Sequence, residues 1–232
     1  DTRSRGQQLH LMGLISDGQV HSSQAHLYAL LRMAKQRGVE RVFVHCFLDG
    51  RDTPPSSAAD YVAALQRKIE EIGCGRIATV IGRYYAMDRD KRWERIQRAY
   101  DLLVSGVGLR AQDPVKAIRE SYQRGVTDEF VEPIVIQKPD HEGGLPSGEP
   151  VARIEDGDAV IFSNFRPDRA RQLTRALAIA GFDEFPITNR PAIDFVCFSV
   201  YDVTFPLPVA FRTPKHQNIL ADVFARFSVE NF

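Results

Sequence analysis

The feature that most constrains the fold is a repeated alternation of apolar runs and amphipathic segments. The apolar runs are residues 8–14, 41–48, 76–81, 158–163 and 193–200. The first four are nearly continuous in apolar residues, as strands buried on both faces are. Each of these four precedes a segment with apolar residues at helical spacing: 22–37, 56–72, 92–104 and 168–180. This strand–helix rhythm predicts an α/β fold with three layers, α/β/α, around a mostly parallel sheet.

Glycine and proline positions support the predicted helix boundaries. Glycines follow the four helical segments, where a left-handed C-cap residue is expected: Gly38, Gly73, Gly106 and Gly181. Pro54 and Pro167 stand near the first helical position, where the missing N–H costs nothing.

Residues 106–157 interrupt the rhythm. The segment contains a helical pattern at 113–124, then two apolar runs at 129–137 and 150–154 that flank a glycine-rich loop. This pattern predicts a small helix-hairpin insertion that forms a subdomain or flap. A last helix is expected from about residue 214 through residue 227.

Composition limits the class of partners. A hydrophobic share of 44% and a charged share of 26% are typical of a soluble protein, and a net charge of zero argues against a nucleic-acid binder. No apolar run approaches the roughly 18 residues of a membrane span, and no signal peptide opens the sequence. Cys46, Cys74 and Cys197 lack metal-like spacing, which favours buried reduced thiols and a cytoplasmic location.

Charged residues and one histidine collect in the loops that follow the first four predicted strands. They are His21, Arg51, Asp52, Arg83, Arg89, Arg166 and Arg169. The carboxyl ends of parallel strands meet at one edge of a sheet, where open α/β folds bind their ligands. We therefore expect the four loops to form one surface, called the rim below.

The five arginines predict an anionic ligand for the rim. Like charges around one mouth repel one another unless an anion or acidic side chains compensate them. The planar guanidinium fork fits carboxylate and phosphate with paired hydrogen bonds, so a small molecule that carries both groups would explain the set. Arg166 and Arg169 also share a face at a helix start, where backbone N–H groups attract anions.

Each rim residue also allows a structural role. Arg89 could pair with neighbouring acidic residues as a solvated helix charge, and His21 could hydrogen-bond only within its turn. Asp52 could accept hydrogen bonds from turn N–H groups. The coincidence of four loops on one edge favours a function over these separate explanations.

Several catalytic motifs are missing from the sequence. It contains no nucleotide loop of the GxxxxGK[ST] or GxGxxG type, no HExxH, no paired CxxC and no GxSxG. The residues offer a binding rim and an acid–base pair, His21 and Asp52, without a convincing nucleophile or metal cage. On their own they predict an anion-binding α/β domain, and a phosphatase that uses His21 or Asp52 as nucleophile stays open.

Five long motifs resemble one family of enzymes. LHLMGLISDGQVHSS, FLDGRDTPPSS, IGRYYAMDRDKRWERI, TDEFVEP and GDAVIFSNFRPDRARQL resemble segments of cofactor-independent (2,3-bisphosphoglycerate-independent) phosphoglycerate mutases. The resemblance runs from about residue 9 to residue 211. It implies a two-domain enzyme in which a phosphatase-like domain carries a serine nucleophile and two metal ions, usually Mn²⁺. An inserted domain holds the glycerate part of the substrate, and the chain resembles this inserted domain only.

The resemblance implies the following organisation and chemistry. Residues 1–232 would form the substrate-binding (transferase) domain, with the inserted subdomain at about 106–157. The seven rim residues would contact the substrate, and Asp52, the expected catalytic residue, would manage the hydroxyl proton alone or with His21. Phosphate would pass from 3-phosphoglycerate to the serine and return to the 2-hydroxyl, giving 2-phosphoglycerate, a step of glycolysis and gluconeogenesis.

The resemblance also implies partners and cofactors. We expect no cofactor in this chain, two Mn²⁺ in the phosphatase-like domain of the same polypeptide, and neither nucleic acid nor membrane as a partner. The chain alone should then be inactive as a mutase. The alternative hypothesis is a stand-alone binding or regulatory domain for small phosphorylated acids.

Overall fold

The computed structural model describes residues 6–138 and 148–212, together with residue 224. The strands are β1 (Leu9–Leu14), β2 (Val42–Leu48), β3 (Arg76–Gly82), β4 (Leu109–Ala111), β5 (Ile134–Ile136), β6 (Ala159–Phe162) and β7 (Asp194–Cys197). The helices are α1 (Gln24–Gln36), α2 (Ala58–Ile72), α3 (Arg83–Ala86), α4 (Trp93–Tyr100), α5 (Pro114–Gln123) and α6 (Arg171–Ala178). A π-helical turn, Asp101–Ser105, extends α4, and a short 3₁₀ helix covers Asp128–Phe130.

The described strands form one seven-stranded sheet in the order β4-β5-β3-β2-β1-β6-β7. Its neighbouring strands pair in parallel except β3 and β5, which pair antiparallel. β1, β2 and β3 are buried along nearly their whole length, in agreement with their continuous apolar sequence.

Helices cover both faces of the sheet. Successive residues of β1 point to opposite faces, so Leu11 and Met12 belong to two different buried clusters. The cluster around Met12 includes residues of α4 and α6, whereas the cluster around Leu11 includes residues of α1, α2 and α5. The predicted three-layer α/β/α class is therefore confirmed.

The segment 106–157 adds material to one edge of this sheet. Its predicted helix is present as α5, and β4 and β5 join the sheet beside β3. The second arm expected at 150–154 is not a strand and forms a single antiparallel bridge between Pro150 and Gln137. The predicted helix at about 214–227 lies outside the described residues, apart from residue 224.

The structure adjusts other predicted boundaries. Gly73 and Gly106 adopt left-handed φ values of 67° and 66°, which confirms them as helix-ending residues. The strand predicted at 193–200 ends early, at Cys197. The chain turns after it, and the buried Tyr201 hydroxyl reaches the Phe162 and Asn164 carbonyl oxygens at 2.6 and 2.7 Å.

A buried chain of polar side chains crosses the middle of the sheet. The Asp158 carboxylate accepts a hydrogen bond from His10 Nε2 at 3.1 Å, and His10 Nδ1 lies 2.9 Å from His45 Nε2. His45 Nδ1 in turn lies 2.8 Å from the Thr79 hydroxyl. Burial, and then the proximity of His10, keeps the pKa of His45 well below its ordinary value. His10 and His45 are thus hydrogen-bonded to each other inside the sheet.

Candidate functional site

The rim lies at the carboxyl ends of β1, β2, β3 and β6, which are parallel neighbours in the sheet. The loops after these strands therefore meet on one edge, as the sequence predicts. Backbone hydrogen bonds tie them together: Phe165 N and Arg166 N both donate to the His21 carbonyl oxygen, at 2.8 and 3.2 Å.

Arg83 forms the buried floor of the rim. It is the first residue of α3, directly after β3, and its side chain is 3% exposed. Arg83 Nη1 donates to Asp49 Oδ1 and to Asp52 Oδ2, each at 2.6 Å. One guanidinium thus holds two carboxylates from the loop after β2.

Asp49 organises the loop after β2 from below. Its carboxylate accepts hydrogen bonds from Arg51 N at 3.1 Å, Asp52 N at 3.0 Å and the Ser16 hydroxyl at 2.7 Å. Burial raises the pKa of Asp49, but these hydrogen bonds and Arg83 outweigh it and leave the pKa below its ordinary value. Asp49 is therefore a charged anchor for the two residues that follow Gly50.

His21 lies between two carboxylates of the rim. It is 3% exposed, with Nε2 3.8 Å from Asp52 Oδ2 and Nδ1 3.7 Å from Asp168 Oδ1. Within the described residues, its Nδ1 has no hydrogen-bond partner. Burial, followed by the nearby Arg83, lowers the pKa of His21 to about 4, so the imidazole is neutral at pH 7.

Asp168 neutralises the opposite side of the rim. Its Oδ2 accepts a hydrogen bond from Arg89 Nη1 at 2.8 Å, and its Oδ1 lies 3.0 Å from Arg166 Nε. Burial raises the pKa of Asp168, but the hydrogen bond from Arg89 and the charge of Arg166 bring it below its ordinary value. Arg89 thus pairs across the rim, which excludes a purely local helix pairing for that residue.

The last two arginines differ in exposure and in contacts. Arg51 is 56% exposed and lies 3.3 Å from Glu129 Oε1. Arg169 donates to the Met87 carbonyl oxygen at 3.0 Å. Burial lowers the pKa of Arg169, and the nearby charges of three other rim arginines lower it further. The structure therefore brings all seven predicted residues to the same rim, while their roles in substrate binding stay predictions.

Sequence reasoning missed the acidic residues that balance the arginines. Asp49, Asp168 and Glu129 each contact a rim arginine, but none was selected as a site residue. Asp168 could have been found because it lies between two selected arginines, Arg166 and Arg169. Glu129 carries no such signal, since it is 78 positions from Arg51 along the chain.

The rim is suited to binding an anion. Arg51, Arg89 and Arg166 have side chains that are 56%, 46% and 45% exposed, so their donors can reach a ligand. In the described part of the chain, no group of three or more His, Cys, Asp or Glu side chains could hold a metal ion. None of the helices described combines the length and hydrophobicity that crossing a membrane requires.

The fold and the rim define the chain as a three-layer α/β domain with an arginine-lined site at the carboxyl edge of its sheet. A family model described as BPG-independent PGAM N-terminus (iPGM_N) matches residues 1–203. The chain belongs to this family, which confirms the resemblance predicted from its motifs.

Curated relatives and a solved structure agree with this assignment. The chain is 54% identical over 227 residues to the 2,3-bisphosphoglycerate-independent phosphoglycerate mutase of Moorella thermoacetica, covering 96% of this chain and 42% of that protein. It is 52% identical over 230 residues to the enzyme of the same name from Myxococcus xanthus, covering 99% of this chain and 44% of that protein. A crystal structure of Leishmania mexicana phosphoglycerate mutase at low cobalt concentration matches with a TM-score of 0.85 and 30% identity, covering 96% of this chain and 41% of that one. The chain thus spans less than half the length of these relatives.

Proposed function

We propose that this chain is the substrate-binding domain of a phosphoglycerate mutase that interconverts 3-phosphoglycerate and 2-phosphoglycerate. The observation that carries the proposal is the convergence of five arginines, His21 and Asp52 on one edge of the sheet, in a member of this family. Phosphoglycerate carries a carboxylate and a phosphate, the two groups that guanidinium forks bind best.

The exposed arginines supply the contacts with the anion. Arg51, Arg89 and Arg166 pair with acidic side chains across distances of 2.8 to 3.3 Å. Glu129 and Asp168 hold the arginines near their working positions before the ligand binds. Ligand oxygens would then replace these carboxylates as hydrogen-bond acceptors. Such preorganisation reduces the ordering cost of association.

Asp52 and His21 are placed to handle the substrate hydroxyl. The Asp52 side chain is 22% exposed, and Arg83 fixes its Oδ2 at 2.6 Å. Next to it, His21 is neutral at pH 7, and its Nε2 lies 3.8 Å from Asp52 Oδ2. The Nε2 atom of a neutral imidazole either donates or accepts one hydrogen bond, and a carboxylate accepts a proton, so the pair can orient the hydroxyl and take up its proton.

We assign phosphoryl transfer itself to the region of the full-length relatives that this chain does not cover. There we place the phosphoserine and the two Mn²⁺ that the family resemblance implies, in a phosphatase-like domain of the same polypeptide. The described residues of this chain bind and orient the glycerate. We also propose a cytoplasmic location, because glycolysis and gluconeogenesis supply and consume both phosphoglycerates there.

Calorimetric titration of the chain with 3-phosphoglycerate tests the proposal. We expect measurable binding that weakens as NaCl is raised, because salt screens partly exposed ion pairs. Arg166→Ala and Arg51→Ala should each weaken binding about tenfold, since a charge-assisted hydrogen bond contributes about 1.5–3 kcal/mol, at the lower end for exposed groups.

Arg153→Ala is the matched control for Arg166→Ala. Arg153 is 42% exposed against 45% for Arg166, and it pairs with Glu155 at 3.8 Å. Its carbonyl oxygen contacts Gln8, just before β1, at the edge of the sheet opposite the rim. Parent-like affinity of this variant is expected. Absence of binding by the parent, or equal weakening by all three variants, would contradict the proposal.

A further inference from the structure

A segment outside the four rim loops packs between two of them. This segment, the 3₁₀ helix Asp128–Phe130 with its C-cap residue Val131, follows α5 within the insertion. Gly82 N donates to the Val131 carbonyl oxygen at 2.8 Å, and Asp128 N donates to the Pro55 carbonyl oxygen at 2.8 Å. The segment is therefore bonded both to the end of β3 and to the loop after β2.

Two glycines make room for this segment. A Cβ added to Gly82 would lie 2.2 Å from the Glu129 carbonyl oxygen. A Cβ added to Gly50, which has a left-handed φ of 71°, would lie 2.9 Å from both Asp128 Cβ and Glu129 N. Side chains at either position would push the segment away from the rim.

Asp128 caps α2 from a distant part of the chain. Its carboxylate is fully buried and accepts hydrogen bonds from Ser57 N at 2.8 Å and Ala58 N at 2.9 Å. The Ser57 side chain does not cap the helix, because its hydroxyl donates to the Pro54 carbonyl oxygen at 2.8 Å. Tyr122 donates its hydroxyl hydrogen to the other oxygen of Asp128. The first N–H groups of α2 thus depend on a residue about 70 positions away in sequence.

The capped helix start is also the end of the loop that carries Arg51 and Asp52. Asp49 holds the beginning of this loop through Arg51 N and Asp52 N. Asp128 holds its end at the first residues of α2. The next residue, Glu129, meets the Arg51 guanidinium at 3.3 Å.

We propose that Asp128 is a positioning residue for the rim: by capping α2, it fixes the loop that presents Arg51 and Asp52 to the ligand. The ligand-binding part of this inference rests on the proposed function. Because Asp128 is fully buried, it acts through the backbone of residues 49–57.

The test compares Asp128→Ala with Asp113→Ala. Asp113 also caps a helix in the insertion, accepting hydrogen bonds from Val115 N at 2.8 Å and Lys116 N at 3.1 Å at the start of α5. Both variants remove a carboxylate that accepts two backbone N–H groups at a helix start, but of the two residues only Asp128 is bonded to the rim. Amide hydrogen exchange of a peptide covering residues 48–53 and the affinity for 3-phosphoglycerate are measured for each.

Asp128→Ala should speed exchange in residues 48–53 and weaken binding, each about tenfold, the size expected for a lost cap that couples to the loop. Asp113→Ala should leave both quantities within about twofold of the parent, since its lost cap lies away from the rim. Asp128→Asn keeps an uncharged acceptor and should give intermediate values, about threefold, because neutral hydrogen bonds are weaker than charge-assisted ones.

The inference would be overturned if amide hydrogen exchange in residues 48–53 were as slow as in the parent, both for Asp128→Asn and for Asp128→Ala where that variant folds. If the alanine variant does not fold, the asparagine variant decides on the same two readouts. If the parent does not bind 3-phosphoglycerate, the proposed function fails. Hydrogen exchange then still shows whether Asp128 fixes the loop.

Discussion

Acidification should destabilise this protein through His21. Its pKa falls from 6.5 to about 4 on folding, because the imidazole is buried and the Arg83 guanidinium is near, although Asp168 and Asp52 oppose the shift. As pH falls below 6.5, the unfolded chain binds a proton at this position and the folded chain does not. The stabilisation is therefore present above pH 6.5 and is lost as pH falls towards 4.

The magnitude follows from the two pKa values. A shift from 6.5 to about 4 corresponds to about 3 kcal/mol in total, at about 1.4 kcal/mol per pH unit. Between about pH 7 and about pH 5, where the unfolded imidazole becomes protonated and the folded one stays neutral, the loss is about 2 kcal/mol.

Urea denaturation of the parent and of His21→Gln near neutral pH and near pH 5 measures this loss. The glutamine amide does not titrate. The free energy of unfolding of His21→Gln should therefore fall by about 2 kcal/mol less than that of the parent over this pH range. The buried His45, whose pKa is also lowered, affects both proteins equally and cancels in the comparison. Equal losses in the two proteins would refute the assignment of a depressed pKa to His21.

Two substitutions test the packing beneath the rim. Arg83→Met leaves the buried Asp49 without its guanidinium partner and should lower the free energy of unfolding by about 3–5 kcal/mol, measured by urea denaturation. A loss no larger than that caused by Arg153→Met would contradict a buried ion pair. Gly82→Ala should cost about 1–3 kcal/mol through overpacking. The φ of −68° at Gly82 suits alanine, so the obstacle is the Glu129 carbonyl oxygen. An unchanged melting temperature would show that the 3₁₀ segment moves away from the new methyl group at no cost.

The parallel core and the location of the rim could be predicted because their signals are local. Continuous apolar runs mark β1, β2 and β3, and a glycine such as Gly73 marks where a helix stops. The antiparallel placement of β5 beside β3 could not be predicted. β5 has only three residues, and its position depends on pairing with a strand more than 50 residues away.

The arginines of the site could be predicted, whereas their acidic partners mostly could not. Each arginine lies in the segment between a strand and the long helix that follows it, so its location follows from the fold class alone. The pairs Arg51–Glu129 and Arg89–Asp168 join residues 78 and 79 positions apart. Such a pairing depends on how loops pack in three dimensions, and no short motif encodes it.

The polar chain inside the sheet has a consequence for strand alignment. When both imidazoles are neutral, donation from His10 to the Asp158 carboxylate makes His10 Nδ1 the acceptor from His45, and His45 Nδ1 the acceptor from Thr79. Between β2 and β3 the register shifts after Val44, and this extra residue in β3 sets Thr79 opposite His45. A change of one residue in the register of two neighbouring strands would turn an imidazole to the other face of the sheet. Its ring nitrogens would then be buried without hydrogen-bond partners. The hydrogen bonds along this row of side chains therefore favour a single register of the central strands.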